Sequence, residues 1–280
     1  MRRIFENRRL QSPRAADTTR LSRPRPLAKP LRAPEKRIDR RPDFMTGIDI
    51  LALCFFLLCW LVFDGLVSGR FGLIQRKSLT SAMMIHRRRW MKTALSRDLR
   101  MIDTQILSGL QNGTAFFAST SIFAIGGCFA LMGEADRAQM LFEDLPGLIP
   151  STRAAFEMKA GGLAAIFGYS FFKFGWSYRL FNYNTILFGA LPMRDGANGE
   201  KAPERMAEQI AEVNIIAARH FNTGLRAIFL SIGYLGWFLG PYVFMATTAF
   251  VFMILTRRQY FSDARRTILE ATQTESEERP

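Results

Sequence analysis

The stretch TQILSGLQNGTAFFASTSIFAIGGCFALMG (residues 104–133) contains no Asp, Glu, Lys or Arg. A second stretch, AIFLSIGYLGWFLGPYVFMATTAFVFMILT (227–256), has the same length and is equally free of charge. Each is longer than the roughly 20 apolar residues that cross a bilayer and the roughly 11–12 residues of an average globular helix. Both stretches therefore predict helices that lie in a membrane, which excludes an ordinary soluble enzyme, a collagen and a disulfide scaffold.

Two further apolar segments extend this pattern. One, residues 48–68, carries Asp49 and Asp64 near its ends, and the other, 161–191, is interrupted by Lys173 and Arg179. Trp and Tyr residues in the second segment are typical of a membrane interface. The sequence thus predicts an all-α integral membrane helical bundle, within residues 45–266, with four transmembrane helices at about 48–68, 105–133, 161–191 and 227–255.

The basic charge of the chain is unevenly distributed. The 38 Lys and Arg exceed the 24 Asp and Glu, for a formal net charge of +14. Much of this excess lies in residues 1–44, a Pro- and Arg-rich segment without apolar periodicity, which predicts a disordered tail. A transit peptide, or translation that starts at Met45, would also account for it. Because aromatic residues for base stacking are almost absent there, a nucleic-acid partner is not expected. Residues 267–280 predict a second disordered tail.

Two of the connections between the predicted spans have the pattern of amphipathic helices. The first, residues 69–103, has apolar residues at helical spacing, and its HRRR run (86–89) supplies charge. The third presents an acidic row, Glu204, Glu208 and Glu212. We expect this row to meet the basic helix and anionic lipid to neutralise the surplus, at about 1 kcal/mol for each Lys or Arg near the surface. The predicted headgroup contacts are Arg87, Arg88 and Arg89, with Trp90 as an interfacial anchor.

The distribution of Lys and Arg orients the four predicted spans. Without residues 1–44, the first and third connections together hold more Lys and Arg than the second connection and the C-terminal segment. The positive-inside rule then predicts that both amphipathic helices are cytoplasmic and that both termini lie outside. Inclusion of residues 1–44 reverses this result, so the predicted orientation depends on the tail.

Polar side chains within the predicted spans lie towards one rim of the membrane. Asp64 and Arg179 occur roughly 25 Å along two helices that run in the same direction, which predicts an ion pair. Lys173 lies deeper and is a candidate for a solute or proton pathway, although a lysine that reaches the interface or an internal acceptor is commoner. It follows Ser170 by three residues, a weak match to a Ser–Lys hydrolase pair. The predicted intramembrane polar cluster consists of Asp64, Lys173, Arg179, Gln111 and Asn112.

Small residues and one proline predict where helices meet or bend. Gly109 and Gly113 form a GxxxG motif, as do Gly236 and Gly240, which favours close helix contact. Pro241 predicts a kink near the middle of the fourth span, because proline removes a helical hydrogen bond.

The cysteines and histidines do not form a metal-binding pattern. The three cysteines all fall in apolar segments, and their spacing fits no zinc site. Both histidines stand beside arginine without acids or cysteines at ligand spacing. The sequence therefore predicts no metal site and no cofactor.

Several segments together resemble a known family. They are MTGIDILALCFFLLCWLVFDG (45–65), HRRRWMKTALSRDLRMIDTQILSGLQNGTAFFASTSIFAIGG (86–127), WSYRLFNYNTILFGALP (176–192) and FNTGLRAIFLSIGYLGWFLGP (221–241). In this order they resemble domain of unknown function 599, a family of bacterial and plant membrane proteins. The resemblance runs from Met45 to about Arg266, and it implies a multi-pass membrane protein without implying an activity. Residues 1–44 depart from the family, whose members begin close to the first span.

These observations lead to two hypotheses about function. The first is a non-enzymatic membrane protein whose two cytoplasmic amphipathic helices contact anionic lipid, a partner protein or a second copy of the chain. The alternative is a small transporter or channel with Lys173, Asp64 and Arg179 in its pathway. A preference for Arg over Lys is typical of a GC-rich bacterial gene, so the expected location is a bacterial inner membrane.

Overall fold

The computed structural model describes residues 45–67, 78–137, 140, 152–192 and 202–277. Within these ranges the chain is predominantly helical, and none of these residues belongs to a β-strand. The prediction of an all-α fold is therefore confirmed. The predicted N-terminal tail, residues 1–44, lies outside the described residues.

The helices follow one another along the chain as α1 (Gly47–Val67), α2 (Leu79–Leu95), α3 (Met101–Gly133), α4 (Arg153–Gly189), α5 (Ala202–Leu239), α6 (Pro241–Tyr260) and α7 (Asp263–Glu277). Side-chain hydroxyl groups cap the N-termini of several helices, as two examples show. Ser78 accepts a hydrogen bond from the Ser81 N–H before α2, and Thr152 accepts one from the Ala155 N–H before α4. The backbone is helical as far as Glu277, which lies in the stretch that the sequence analysis assigns to a second tail.

The longest helices, α4 and α5, pack antiparallel along most of their length. With 37 and 38 residues they are each about 55 Å long. Phe188 and Ala207 share one hydrophobic cluster near one end of the pair. Near the other end, the Lys159 amine bonds to the Trp237 carbonyl at 3.1 Å. The predicted third span, 161–191, is therefore part of a longer helix.

The fourth predicted span, 227–255, is wrong as a single helix. α5 ends at Leu239, Gly240 has a φ of 135°, and α6 starts at Pro241. Glycine is needed at this φ because an L side chain rarely adopts it. The sequence predicts a kink at Pro241, whereas the chain reverses there and α6 returns along α5.

Two contacts at different distances from Gly240 show that α5 and α6 are antiparallel. Near the reversal, the Thr247 hydroxyl donates to the Gly233 carbonyl at 2.8 Å. Farther from it, the Arg258 guanidinium lies 5.8 Å from the centre of the Phe229 ring. The apolar segment 227–256 thus forms a helical hairpin, in which α6 brings the charged residues after Leu255 back towards the start of α5.

Only one of the two GxxxG motifs lies where helices touch. A Cβ atom on Gly236 would lie 3.0 Å from the Val243 carbonyl oxygen and 3.1 Å from the Phe244 Cα, so the backbone of α6 would have to shift to accommodate a side chain. Gly109 and Gly113 of the other motif have no such neighbour within 4 Å in the described part of the chain. The prediction of close contact is therefore confirmed for Gly236 and is wrong for the first motif.

α1 completes the core around the hairpin through aromatic side chains. Phe56 contacts the rings of Tyr234 and Phe244, with centroids 5.6 Å and 5.4 Å away. Trp237 stacks on Phe244 at 5.1 Å, and its indole N–H donates to Asp49 at 2.8 Å. Asp49 at the start of α1 therefore lies at the same end of the bundle as Gly240, which we term the reversal end.

The opposite end of the bundle is formed by α2, the first half of α5 and α7, and we term it the basic end. α2 packs against both of the other helices. The His86 Nε2 atom lies 3.1 Å from the Ile268 carbonyl oxygen, which holds α7 against α2. The start of α1 and the last helix thus lie at opposite ends, contrary to the expectation that both termini share one side.

Two described helices, α1 and α3, have the length and composition needed to cross a membrane. Their most apolar windows are only 22% and 11% buried, so most of this apolar surface faces away from the rest of the bundle. This surface points to membrane association. The predicted arrangement of four spans is not confirmed.

Replacement of Gly236 by alanine tests the packing of the hairpin. We expect the Gly236→Ala variant to lose about 1–3 kcal/mol of unfolding free energy, because its methyl group meets the backbone of α6. The measurement is unfolding of the detergent-solubilised protein by titration with sodium dodecyl sulfate. Gly113→Ala is the matched control and should be neutral, or more stable by about 0.5–1 kcal/mol. Equal effects of the two substitutions would contradict the packing described above.

Candidate functional site at the basic end

The basic helix α2 lies along the first half of α5 because its apolar face is complementary to that helix. Met91, Ala94 and Leu95 are buried in one cluster with Ala207 and Ile210 of α5. The contact directs the first arginine of the HRRR run towards the interior and leaves the second exposed. The predicted amphipathic helix is therefore present, and it is packed on its neighbour.

Arg87 is the first member of a buried chain of hydrogen bonds. Its Nη1 group donates to the Asn214 side-chain oxygen. The Asn214 amide donates to the Asn184 oxygen at 2.9 Å, and the Asn184 amide donates to the Ile210 carbonyl at 2.7 Å. Both asparagines are fully buried, and burial lowers the pKa of the Arg87 guanidinium. Arg87 thus links α2 to α5 and, through Asn184, to α4.

Arg88 makes the contact that the sequence analysis expects between the basic and acidic rows. Its guanidinium lies 2.6 Å from the Glu212 carboxylate, and both side chains are partly exposed. The expected meeting of the two rows is confirmed at this pair. The neighbouring Arg89 is half-buried on the same helix.

Trp90, predicted as an interfacial anchor, has an internal partner. Its indole N–H donates to the Asp103 carboxylate at 2.6 Å, and Arg97 lies 2.5 Å from the same oxygen. The Asp103 side chain is fully buried at the start of α3. Arg100 lies nearby in sequence and donates to the Pro192 carbonyl after α4 at 2.9 Å. This group therefore fixes the turn between α2 and α3.

The predicted ion pair between Asp64 and Arg179 is wrong. Asp64 pairs with Arg226 of α5 at 3.0 Å, and the same Arg226 nitrogen donates to the Thr223 hydroxyl at 2.8 Å. Arg179 is exposed on α4, where its Nε donates to the Tyr183 hydroxyl at 2.6 Å. Position along a helix gives depth but not direction around the axis, and the two side chains point to different neighbours.

The other predicted members of the intramembrane polar cluster also lie apart. The Lys173 amine lies 5.2 Å from the centre of the Tyr169 ring. The Gln111 amide donates to the Thr185 hydroxyl at 3.1 Å, and Asn112 is exposed on α3. The five residues therefore form no single polar cluster in the structure.

The most buried lysine among the described residues is Lys159, which the sequence analysis does not single out. Its amine bonds to the Trp237 carbonyl and lies 5.6 Å from the centre of the Trp237 ring. Trp237 is near the C-terminus of α5, where carbonyl groups lack helical partners. Lys159 thus stabilises the helix end that precedes the reversal at Gly240. In the sequence, the only indication of this contact is that Lys159 directly precedes the long uncharged segment that begins at Ala160.

No group of three or more His, Cys, Asp or Glu residues in the described ranges could hold a metal ion. The Ser170 hydroxyl is fully buried and donates to the Ile166 carbonyl of its own helix at 3.0 Å. The basic end is therefore characterised by arginines and amides, which bind anions, rather than by metal ligands.

The Asp64–Arg226 pair predicts a measurable energetic coupling. In a double-mutant cycle with Asp64→Asn and Arg226→Gln, we expect a coupling of about 1 kcal/mol, because each single change leaves the other charge partly buried. The measurement is unfolding free energy in detergent. The matched cycle with Asp64→Asn and Arg179→Gln should be additive within about 0.5 kcal/mol. Coupling in the second cycle and none in the first would contradict the pairing in the structure.

The buried carboxylate of Asp103 gives a second stability test. We expect Asp103→Asn to reduce the unfolding free energy by about 1–3 kcal/mol, because Arg97 and Trp90 lose their shared ionic acceptor. Asp98→Asn, on an exposed residue between the two helices, should change it by less than about 0.5 kcal/mol. The same loss in both variants would indicate a general charge effect.

Comparison with known proteins finds one family and no individual relative. A family model described as a protein of unknown function, DUF599, matches residues 51–264. No curated protein and no solved structure matches the chain. The matched region extends from α1 to the start of α7, and at the basic end it includes all of α2 and the first half of α5. The chain therefore belongs to the DUF599 family.

Proposed function

We propose that the protein is a non-enzymatic, multi-pass membrane protein whose basic end faces the cytoplasm and contacts anionic lipid. The observation that carries the proposal is the separation of apolar and basic surface along the bundle. Large apolar side chains are exposed on α1, α3, α4, α5 and α6, as lipid-facing helices require. Examples are Leu61, Phe123, Phe172, Ile232 and Phe250.

Five helices rather than four are the proposed membrane segments. α1, α3, α4, the second half of α5 and α6 meet around one aromatic core, and α5 and α6 replace the predicted fourth span. An odd number of segments accounts for the positions of Asp49 and α7 at opposite ends of the bundle.

The positive-inside rule supports a cytoplasmic basic end. Few Lys and Arg among the described residues lie near the reversal end, namely Arg137, Arg153 and Lys159. Many more lie on α2, between α2 and α3, on the first half of α5 and after Leu255: Arg87, Arg88, Arg89, Lys92, Arg97, Arg100, Arg205, Arg219, Arg257, Arg258, Arg265 and Arg266. We propose a bacterial inner membrane as the location, in line with the arginine-rich composition.

The pathway alternative receives no support from the positions of its residues. Asp64, Lys173 and Arg179 each contact a different partner, respectively Arg226, the Tyr169 ring and the Tyr183 hydroxyl. A hydrolase is likewise unsupported, because the Ser170 hydroxyl is engaged within its own helix. We therefore propose lipid contact at the basic end rather than a pathway or a hydrolytic site.

Reporter fusions test the proposed orientation. A reporter that is active only outside the cytoplasmic membrane should be inactive when fused after Pro280 and active when inserted between Asp136 and Arg153. The reason is that five segments return the C-terminus to the side of α2. A reporter active only in the cytoplasm should give the opposite pattern. Equal signals from both positions would contradict five segments.

Lipid selectivity tests the proposed contact. The full chain, reconstituted in equal amounts of phosphatidylglycerol and phosphatidylcholine and extracted with a copolymer, should retain phosphatidylglycerol in at least about twofold excess. Replacement of Arg88, Arg89 and Lys92 by glutamine should reduce this excess, because these side chains lie at the surface of the basic end. Arg137→Gln with Arg153→Gln, at the other end, is the matched control. No excess in the unmodified protein would contradict the proposal.

A further inference from the structure

A cavity of about 370 Å³ opens in the basic end between α2, α5 and α6. The last turns of α1 and the first residues of α7 complete its wall. Its volume lies within the range of about 300–1,000 Å³ that is typical of small-molecule sites. The cavity is next to the Asp64–Arg226 pair, at the level where α1 ends.

Four arginines from three helices line the cavity: Arg87, Arg219, Arg226 and Arg258. No carboxylate lines it among the described residues. Arg226 pairs with Asp64, whereas the other three have neutral partners, namely Asn214, the Met84 sulfur and the Phe229 ring. Because only Arg226 of these four arginines is paired with a carboxylate among the described residues, the cavity has an excess of positive charge.

Neutral donors and acceptors lie among these arginines. Asn222 and the Gln259–Thr80 pair line the same wall, and the Gln259 amide donates to the Thr80 hydroxyl at 2.8 Å. Guanidinium groups and amides bind phosphate oxygens strongly, because arginine can donate two parallel hydrogen bonds to them. The polar wall is thus suited to a phosphate group.

The remaining wall is apolar. Phe63 of α1, Leu255 of α6 and Leu225 of α5 line it. α1 and α6 also expose large apolar side chains on their outer surfaces, such as Leu61 and Met253. A ligand that fills the cavity therefore has an anionic part and an apolar part, side by side.

From this arrangement we infer that the cavity binds the phosphate headgroup of an anionic phospholipid. The arginines hold the phosphate, and the apolar wall contacts the glycerol and the first acyl carbons. A phospholipid at the membrane surface presents these parts in the required order, whereas a free phosphate leaves the apolar wall uncovered. The inference rests on the proposed function, since it gives the lipid contact of the basic end a defined site.

Native mass spectrometry of the full chain in a neutral detergent tests the site. Phosphatidylglycerol is titrated against an equal amount of phosphatidylcholine, and the bound fraction of each is measured. We expect Arg219→Gln with Arg258→Gln to weaken phosphatidylglycerol binding at least about tenfold, since two arginines of the site are removed. Both side chains are exposed, so the double variant is expected to fold, and gel filtration checks this.

The matched control removes two arginines of the same helices that lie outside the cavity. Arg205→Gln with Arg257→Gln changes the net charge equally, and both residues are exposed on α5 and α6. We expect this pair to change binding by less than about twofold, because neither side chain lines the cavity. Arg219→Lys with Arg258→Lys should restore part of the binding lost in the glutamine pair. If the glutamine double variant at the cavity fails to fold, Arg258→Gln alone replaces it.

A competition experiment distinguishes a lipid ligand of the cavity from a soluble anion. Inorganic phosphate and glycerol 3-phosphate at about 10 mM should not displace phosphatidylglycerol, because they lack the apolar part. Displacement by either compound would overturn the assignment to a lipid. Equal loss of binding in the cavity pair and the control pair would overturn the site and leave the proposed lipid contact intact. Equal binding of the two lipids by the unmodified protein would overturn both.

Discussion

The φ of 135° at Gly240 determines how the second half of the chain is arranged. Glycine reaches this conformation readily, and Pro241 starts a new helix immediately afterwards. The chain therefore reverses within the apolar segment 227–256, and α6 runs back beside α5. Gly236 permits the two helices to approach closely, because a Cβ atom there would push against the α6 backbone. Without the reversal, Arg257, Arg258 and α7 would be carried away from α2.

Several polar groups in the apolar part of the bundle have specific partners. Lys159 bonds to the Trp237 carbonyl, and the Trp237 indole bonds to Asp49, which connects α4, α5 and α1 at the reversal end. At the other end of α1, Asp64 pairs with Arg226. A polar group left unpaired in lipid costs several kcal/mol, so these contacts fix the register of the helices. They are structural contacts, and they explain why the apolar helices tolerate charged residues.

The sequence identifies the apolar helices well and their partners poorly. The predicted spans 48–68 and 105–133 agree closely with α1 (Gly47–Val67) and α3 (Met101–Gly133). The prediction of a single span over 227–255 is wrong because hydropathy does not show whether an apolar segment continues in one direction or turns back. A glycine followed by proline is compatible with a kink or with a complete reversal. The predicted ion pair between Asp64 and Arg179 is wrong for a related reason. The depth of a residue along a helix does not specify the direction in which its side chain points around the helix axis. Arg226 marks the start of the charge-free block, yet its partner becomes evident only when α1 and α5 are seen side by side.

The number of basic residues in helix α2 is larger than the number that remain available to bind an external anion. Three of its polar side chains, Arg87, Arg88 and Trp90, have partners on α5 or α3, so the HRRR run offers less free charge than its sequence suggests. The charge that remains is assembled from different helices, and Arg219 and Arg258 contribute from α5 and α6. These residues are far apart in sequence and form no motif. They come together only because the chain reverses at Gly240, which makes the concentration of positive charge at the basic end a property of the fold.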